Sequence, residues 1–359
     1  MSEIVKAALA AVVEGKRLSM DEAHAAMGSV MDGEATPSQL GALLVALRMR
    51  GETVEELAGF ARAMRERVLR VEGPADAIDT CGTGGDKSGT INVSTAAALV
   101  VAAAGVPVAK HGNRAMTSAC GSADVLEALG IATDLNPQEA AEALRQDNFA
   151  FLFAQAYHPA MKHAGPTRKE IGVRTAFNLL GPMTNPAGAK RQMIGVGDAA
   201  VAVKIAEVLR LLGVERALVV HGDGIDELPL DGSGVMYGIT SAGVARQQVV
   251  AEELGLTAAP MEALKGGNPA ENAAVIDALF NGEQGPRRDV VLLNAAAAFL
   301  VAGRVENLRD GIALARTTID EGLARDLLTR LRAARTARDE AKARAAACAV
   351  AAPLAAAQA

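Results

Sequence analysis

Apolar positions in the first seventy or so residues recur with helical spacing, and from about Ala77 they gather into short runs separated by polar, glycine-bearing turns. Ile4, Val5, Ala8, Leu9, Val12 and Val13 follow the three-and-four spacing that lines one face of a helix. Three capping boxes then mark three further helix starts: Ser19 with Glu22, Thr36 with Gln39, and Thr53 with Glu56. Pro37 occupies the favoured first helical position after Thr36. The pattern predicts a compact all-helical subdomain whose apolar faces either pack within the chain or meet a second subunit.

Beyond it, strand and helix alternate. Ala77 to Thr80 reads as a strand, Ser94 to Ala104 as a helix stopped by Gly105, and Val106 to Ala109 as the next strand. A loop from Lys110 leads to a helix from about Ser122 to Leu129, closed by Gly130, and then to Ile131–Thr133. Asn136 and Glu139 cap a further helix, and Phe149 to Phe153 form a buried strand. Later strands are expected at Met193 to Val196, Ala217 to His221 and Val290 to Asn294. Such alternation implies a mainly parallel central sheet with right-handed crossovers. Residues 163 to 189 interrupt it and are expected to return to the helical part. The fold class is therefore α/β with a small helical subdomain, residues 1–72 plus about 164–190. A larger domain takes about 75–163 plus 191–345, and residues 346–359 form a tail.

Composition narrows the function. The 359 residues are half hydrophobic, yet aromatics are only 3% and Trp is absent, so Ala, Val and Leu must pack helices against a sheet. A net charge of −6 gives no footprint for nucleic acid. No apolar run is long and charge-free enough for a bilayer, and no cleavable signal pattern opens the chain, so a cytoplasmic location is expected. Cys81, Cys120 and Cys348 are odd in number and widely spaced, which implies neither a disulfide framework nor a zinc site.

Candidate chemistry centres on two polar loops. Gly82-Thr83-Gly84-Gly85-Asp86 is followed by Asn92-Val93-Ser94-Thr95 at the start of an apolar helix. Lys110 to Ala115 forms the second loop. Glycines let backbone amides approach a polyanion, and a helix N-terminus adds its dipole. Neither a Walker loop nor a dinucleotide fingerprint fits, because Asp86 and Lys87 stand where glycines are needed. The pair points to a phosphorylated sugar held beyond the carboxyl ends of parallel strands. Asp223, Asp226 and Glu227 directly follow an apolar strand. Spacing alone fits either a solvated acidic turn or oxygen ligands for Mg²⁺, and the neighbouring phosphate-type loops favour the metal. Arg168 is a candidate carboxylate clamp, although its basic surroundings also fit a solvated residue.

At these residues the chain closely resembles the anthranilate phosphoribosyltransferase family of tryptophan biosynthesis. The shared blocks are GTGGD at 82–86, NVST at 92–95, KHGNRA at 110–115, GVRTAFNLLGPMTNPAG at 172–188 and DGIDE at 223–227. The resemblance implies a nucleoside-phosphorylase-like fold and transfer of phosphoribosyl from its diphosphate to anthranilate. It implies phosphoribosyl diphosphate contacts at Gly82, Gly85, Asp86, Thr90, Asn92, Val93, Ser94 and Thr95. A second group comprises Lys110, His111, Gly112, Asn113, Arg114, Ala115, Met116, Thr117, Ser118 and Ser122. Anthranilate contacts fall on Gly82, Asn113 and Arg168, and Mg²⁺ ligands on Ser94, Asp226 and Glu227, with two ions per subunit. Lys110 and His111 are the candidate catalytic side chains. A homodimer through the helical subdomain is implied, with no nucleic-acid or membrane partner. Met116 and Cys120 depart from the family's Ser-rich loop, and the tail beyond about residue 335 is longer than the family needs. The rival enzyme reading, a pyrimidine nucleoside phosphorylase, predicts activity that survives removal of Mg²⁺.

Overall fold

Ser19, Thr36 and Thr53 each accept a hydrogen bond from the backbone N–H three residues on, and the side chains of Glu22, Gln39 and Glu56 reciprocate. All three boxes form as the sequence predicts. In the computed structural model, which describes residues 1–86, 88–115, 119–232 and 234–356, these caps open α2 (Met20–Met31), α3 (Pro37–Arg50) and α4 (Val54–Arg65), after α1 (Glu3–Val13). Glu56 is fully buried and joins the group: its Oε1 accepts from Leu18 N at 2.9 Å, and Oε2 pairs with Arg50. A buried carboxylate with every oxygen engaged ties three helix ends together.

The sheet follows. Strand β1 (Ile78–Asp79) leads through α5 (Val93–Ala103) to β2 (Val108–Gly112). Helices α6 (Ser122–Ala128) and α7 (Pro137–Asp147) then lead to β3 (Phe149–Phe153). Short helices α8 (Ala154–Tyr157), α9 (Gly165–Ile171) and α10 (Phe177–Leu180) precede β4 (Arg191–Gly195), α11 (Ala199–Leu211) and β5 (Arg216–His221). Strands β6 (Gly234–Thr240) and β7 (Gly243–Val249) form a hairpin, and α12 (Pro269–Phe280), α13 (Pro286–Ala302), α14 (Leu308–Asp320) and α15 (Leu323–Ala356) complete the chain. The order is β3-β2-β1-β4-β5-β6-β7. Strands β1 to β5 pair in parallel, and β6 and β7 antiparallel. Strand order reverses between β1 and β4, the switch point where a parallel sheet opens a ligand crevice.

Two expected strands differ. Val290–Asn294 lies inside α13, a helix buried on every side from Val290 to Phe299 and nearly all apolar there, which its short Val-Val-Leu-Leu run disguised. Ile131–Thr133 forms no strand; Ile131 is a core residue after α6. The second strand starts and ends later than expected, which moves Lys110, His111 and Gly112 out of the supposed loop and into β2. The β6–β7 hairpin was not anticipated, because β7 is a half-exposed edge strand with little apolar alternation.

Residues after α8 pack beside the N-terminal helices. Ala164, Ala176, Phe177, Leu180 and Met183 share one apolar cluster with α1 to α4. That cluster continues into α11 and one face of β4 and β5, so the helices rest directly on the sheet. On the sheet's other face, α5 and α13 sit in the largest cluster. No helix among the described residues is long and apolar enough to cross a membrane.

Candidate active site

The carboxyl ends of β1, β2, β4 and β5 deliver their polar groups to one place. After β5 the chain turns through Gly222 to Glu227, and Glu227 Oε1 accepts the Ser94 N–H at 3.0 Å, in the first turn of α5. A carboxylate there faces the helix dipole's positive end. Asp226 Oδ2 accepts the Gly84 N–H at 2.9 Å. From β2, Lys110 reaches Thr80 O at 2.9 Å and Ser94 Oγ at 3.5 Å, with 1% of the residue exposed. Gly82, Ser94, Gly195, Asp226, Glu227 and Asn294 line a cavity of about 10 Å³, the size of one water or ion.

Close approach explains the glycines. A Cβ on Gly82 would meet Asp226 Oδ2 at 2.7 Å, and one on Gly195 would meet Asp226 O at 1.7 Å. Gly84 and Gly85 both adopt positive φ, 63° and 73°. A larger residue at any of the four would displace or strain the loop that bears them.

Electrostatics mark the same spot. Burial, then the nearby Asp86 charge, raises Asp226 to about 6. Burial and then Asp226 raise Glu227 well above the carboxylate range, while Lys110 opposes this. Burial in turn pushes the Lys110 ammonium below its usual value. Two adjacent carboxylates, Glu227 buried and Asp226 half-buried, with Asp86 nearby gather hard oxygens that Lys110 alone does not balance. That donor set fits Mg²⁺.

The second expected loop is built differently from its reading. Asp124 Oδ2 accepts both Ala115 N and Gly121 N at 2.9 Å, which pins the two ends of this loop to α6. Arg114 pairs with Glu127 and Asp124, at 2.8 Å and 3.2 Å, so its guanidinium, although half-exposed, braces the loop against α6. Asn113 accepts Arg114 N through Oδ1 at 2.8 Å. Asn92 donates to Cys120 O at 3.2 Å and accepts from Asn272 at 2.9 Å. Ser122 begins α6, and Thr90 lies beside Ser88, their hydroxyls 3.2 Å apart. Met116, Thr117 and Ser118 lie outside the described residues. His111 is 2% exposed, with Nδ1 3.1 Å from Gly181 O and Nε2 3.3 Å from His158 Nε2. Burial, then His158, lowers it to about 3, so it is neutral and a weak base. Arg168 stands on α9 with its guanidinium 4.9 Å from the Phe177 ring centroid.

Several supporting residues escaped the sequence reading. Asp79 is fully buried and accepts the His111 N–H at 3.1 Å, which fixes β2 against β1. Asn294 donates to Leu228 O and accepts Leu228 N, both at 3.0 Å, so α13 fixes the chain just after Glu227. A lone Asn in the run Val290-Val291-Leu292-Leu293-Asn294 was the available signal: a buried amide needs partners. Arg174, whose guanidinium reaches the glycine loop, stands inside the shared block at 172–188 but was assigned no role of its own.

Known proteins share this arrangement over nearly the whole chain. Residues 74–325 match the glycosyl transferase family α/β domain, and residues 6–68 its helical bundle domain. The anthranilate phosphoribosyltransferase of Symbiobacterium thermophilum is 53% identical over 330 residues, 91% of this chain and 97% of that protein. That of a Bradyrhizobium strain is 50% identical over 328 residues, with the same coverage of each. The crystal structure of the Thermus thermophilus enzyme superposes with a TM-score of 0.86 at 48% identity, over 92% of this chain and 99% of that one. The Saccharomyces cerevisiae enzyme in complex with PRPP and Mg gives 0.86 at 25% identity, over 94% and 99%. With its helical bundle, its α/β domain and these relatives all agreeing, the chain belongs to the anthranilate phosphoribosyltransferases of the glycosyl transferase family.

Proposed function

We propose that the chain transfers the phosphoribosyl group of 5-phosphoribosyl 1-diphosphate to the amino group of anthranilate, giving N-(5-phosphoribosyl)anthranilate and diphosphate. The reaction belongs to L-tryptophan biosynthesis, and a cytoplasmic location accords with it. Family membership supports the reading. The observation that carries it is the meeting of Gly82, Ser94, Lys110, Asp226 and Glu227 at the carboxyl ends of the parallel strands.

The residues divide the work. Gly82, Gly85, Asp86, Thr90 and Asn92 to Thr95 hold the sugar diphosphate, together with Lys110 to Ser118 and Ser122. Gly82, Asn113 and Arg168 hold anthranilate. Ser94, Asp226 and Glu227 hold Mg²⁺, two ions per subunit in this reading. When bound, Mg²⁺ neutralises charge on the leaving diphosphate. The amino nitrogen attacks C1 of the ribose as the bond from C1 to the diphosphate oxygen breaks, with inversion, and the nitrogen then sheds a proton. Negative charge grows on the leaving group, where the glycine-loop amides, the α5 N-terminus and Lys110 stabilise it. An arylamine is neutral near pH 7 and needs no strong base before attack, so positioning by Asn113 and Arg168 supplies much of the rest. Lys110 thus acts through charge. His111, neutral and weakly basic, acts through placement, since its ring is engaged by Gly181 and His158.

The proposed subunits pair through exposed apolar side chains of the helical subdomain, which comprises residues 1–72 and about 164–190. The decisive experiment follows anthranilate fluorescence after addition of phosphoribosyl diphosphate and Mg²⁺. Decay that needs both additions is expected. A folded protein with no decay, or decay that persists after chelation of Mg²⁺, overturns the assignment.

A further inference from the structure

The glycine loop is gripped from two opposite sides. Two successive residues with positive φ, Gly84 and Gly85, make a short left-handed turn. Its two carbonyls and the Gly84 amide meet different partners. On the amide side, Gly84 N–H meets Asp226 Oδ2 at 2.9 Å. On the carbonyl side stands Arg174: Nη2 donates to Gly84 O at 3.3 Å and Nη1 to Gly85 O at 3.2 Å. Gly85 lies close beneath the guanidinium: a Cβ there would meet Nη1 at 2.9 Å and displace the arginine tip, and the φ of 73° already disfavours a side chain.

Arg174 does not belong to the sheet. It lies between α9, which ends at Gly172 with φ 66°, and α10, whose start is fixed by Thr175 N donating to Asn178 Oδ1 at 2.9 Å. This segment packs with the N-terminal helices through Ala176, Phe177 and Leu180. Arg174 therefore crosses the seam between the helices and the sheet, beside a cleft of about 300 Å³ that Arg48 and Lys204 also line. Lys204 bridges the same seam by donating to Glu52 O at 2.8 Å. The α9–α10 segment thus carries two arginines with different targets: Arg168 on the helix, and Arg174 on the loop that faces Asp226.

We infer that Arg174 is a positioning residue for the sugar diphosphate: it holds the Gly84 and Gly85 carbonyls from the helical side, so that the loop's amides face Asp226 and the bound diphosphate. A fork of parallel donors suits two adjacent carbonyls, whereas a lysine ammonium can satisfy one without fixing the plane. The inference rests on the transferase reading. Wild-type turnover in the same assay separates a failure of that reading from a failure of this role.

The test compares Arg174→Ala, Arg174→Gln and Arg174→Lys by steady-state kinetics, with melting temperature as a fold control. Loss of two charge-assisted bonds at an exposed site is expected to raise the KM for phosphoribosyl diphosphate about tenfold in the Ala and Gln variants. The Mg²⁺ concentration for half-activation should rise with it, and the KM for anthranilate should stay within about twofold, because the clamp on Arg168 is untouched. Arg174→Lys is expected to recover part of the loss. If the Ala variant unfolds, the Gln and Lys variants give the reading. In a folded variant, an equal rise of both KM values, a fall in kcat alone, or an unchanged KM for the sugar diphosphate each overturns the role.

Discussion

Arg168 and the His111–His158 pair are single residues whose contacts translate into separate measurements. Arg168 is partly buried, which depresses its pKa somewhat, yet a guanidinium keeps its charge throughout the working range. If it clamps the anthranilate carboxylate, Arg168→Ala removes a charge-assisted pair and is expected to raise the anthranilate KM by about tenfold to a hundredfold. The KM for the sugar diphosphate should barely move, and equal effects on both substrates count against the clamp. The histidines report on stability instead. Burial holds His158 at about 4 and His111 at about 3, against about 6.5 for an unfolded histidine. Between those values these two rings bind more protons in the unfolded chain, so their share of the folding stability is complete above about pH 6.5 and declines as pH falls toward 4, while the raised Asp226 and Glu227 act in the opposite direction. Thermal melts from pH 7.5 to 4.5 read that share as a difference between the wild-type chain and His158→Gln. As pH falls, His158→Gln should gain stability relative to the wild type, since one proton-binding difference is gone. An unaltered slope in that variant means that other groups govern the acid transition.

Helices and strands differ in how openly the sequence announces them. The capping boxes are local, with donor and acceptor three residues apart, so Ser19, Thr36, Thr53 and Asn136 are readable without tertiary information. Thr53→Ala is therefore expected to lower stability by about 1 kcal/mol in a urea titration, and no change would mean the Glu56 contacts alone hold that end. The phosphate loop, the start of α5 and the acidic turn after β5 are equally local, which is why Gly82 to Asp86, Asn92 to Thr95 and Asp226-Glu227 stand out. What pattern alone misses depends on distant partners. Val290–Asn294 looks like a strand because a helix wrapped by core on all sides has lost its polar stripe. The edge strand β7 has too little apolar alternation to announce itself, and Arg174 has meaning only once α10 docks beside the glycine loop. The long α15 joins both kinds of element. Its early turns bury Leu327, Leu328 and Leu331, and its middle binds back through Arg332 to Leu129 O at 2.6 Å and Arg338 to Glu139 at 2.9 Å. Ending the chain after residue 345 is expected to leave the melting temperature unchanged. Ending it after residue 331 removes those arginines and should lower the melting temperature by several degrees, since multiple contacts to the α6 end and α7 are lost together. Equal melting temperatures for the two truncations would mean that α15 beyond the core contributes nothing.

At the scale of the whole molecule, the helical subdomain faces two ways. Its inner side is continuous with the apolar cluster over β4, β5 and α11, and its outer side bears exposed apolar side chains. On α3, Leu40, Leu43, Leu44 and Leu47 are buried, while Val45 and Met49, four residues apart and on the opposite face, are 38% and 84% exposed. A long apolar side chain left that open gains most by packing on its own copy across a two-fold axis, where one patch supplies both halves of the contact. Light scattering after size exclusion is expected to give twice the chain mass. Placing two carboxylates on this face, as Val45→Glu with Met49→Glu, would bring unpaired like charges together at the axis and should yield a monomer. None of the residues assigned to substrate or Mg²⁺ lies on α3, so the monomer is expected to retain turnover. A wild-type chain that runs as a monomer removes the dimer. A double variant that stays dimeric moves the interface off α3.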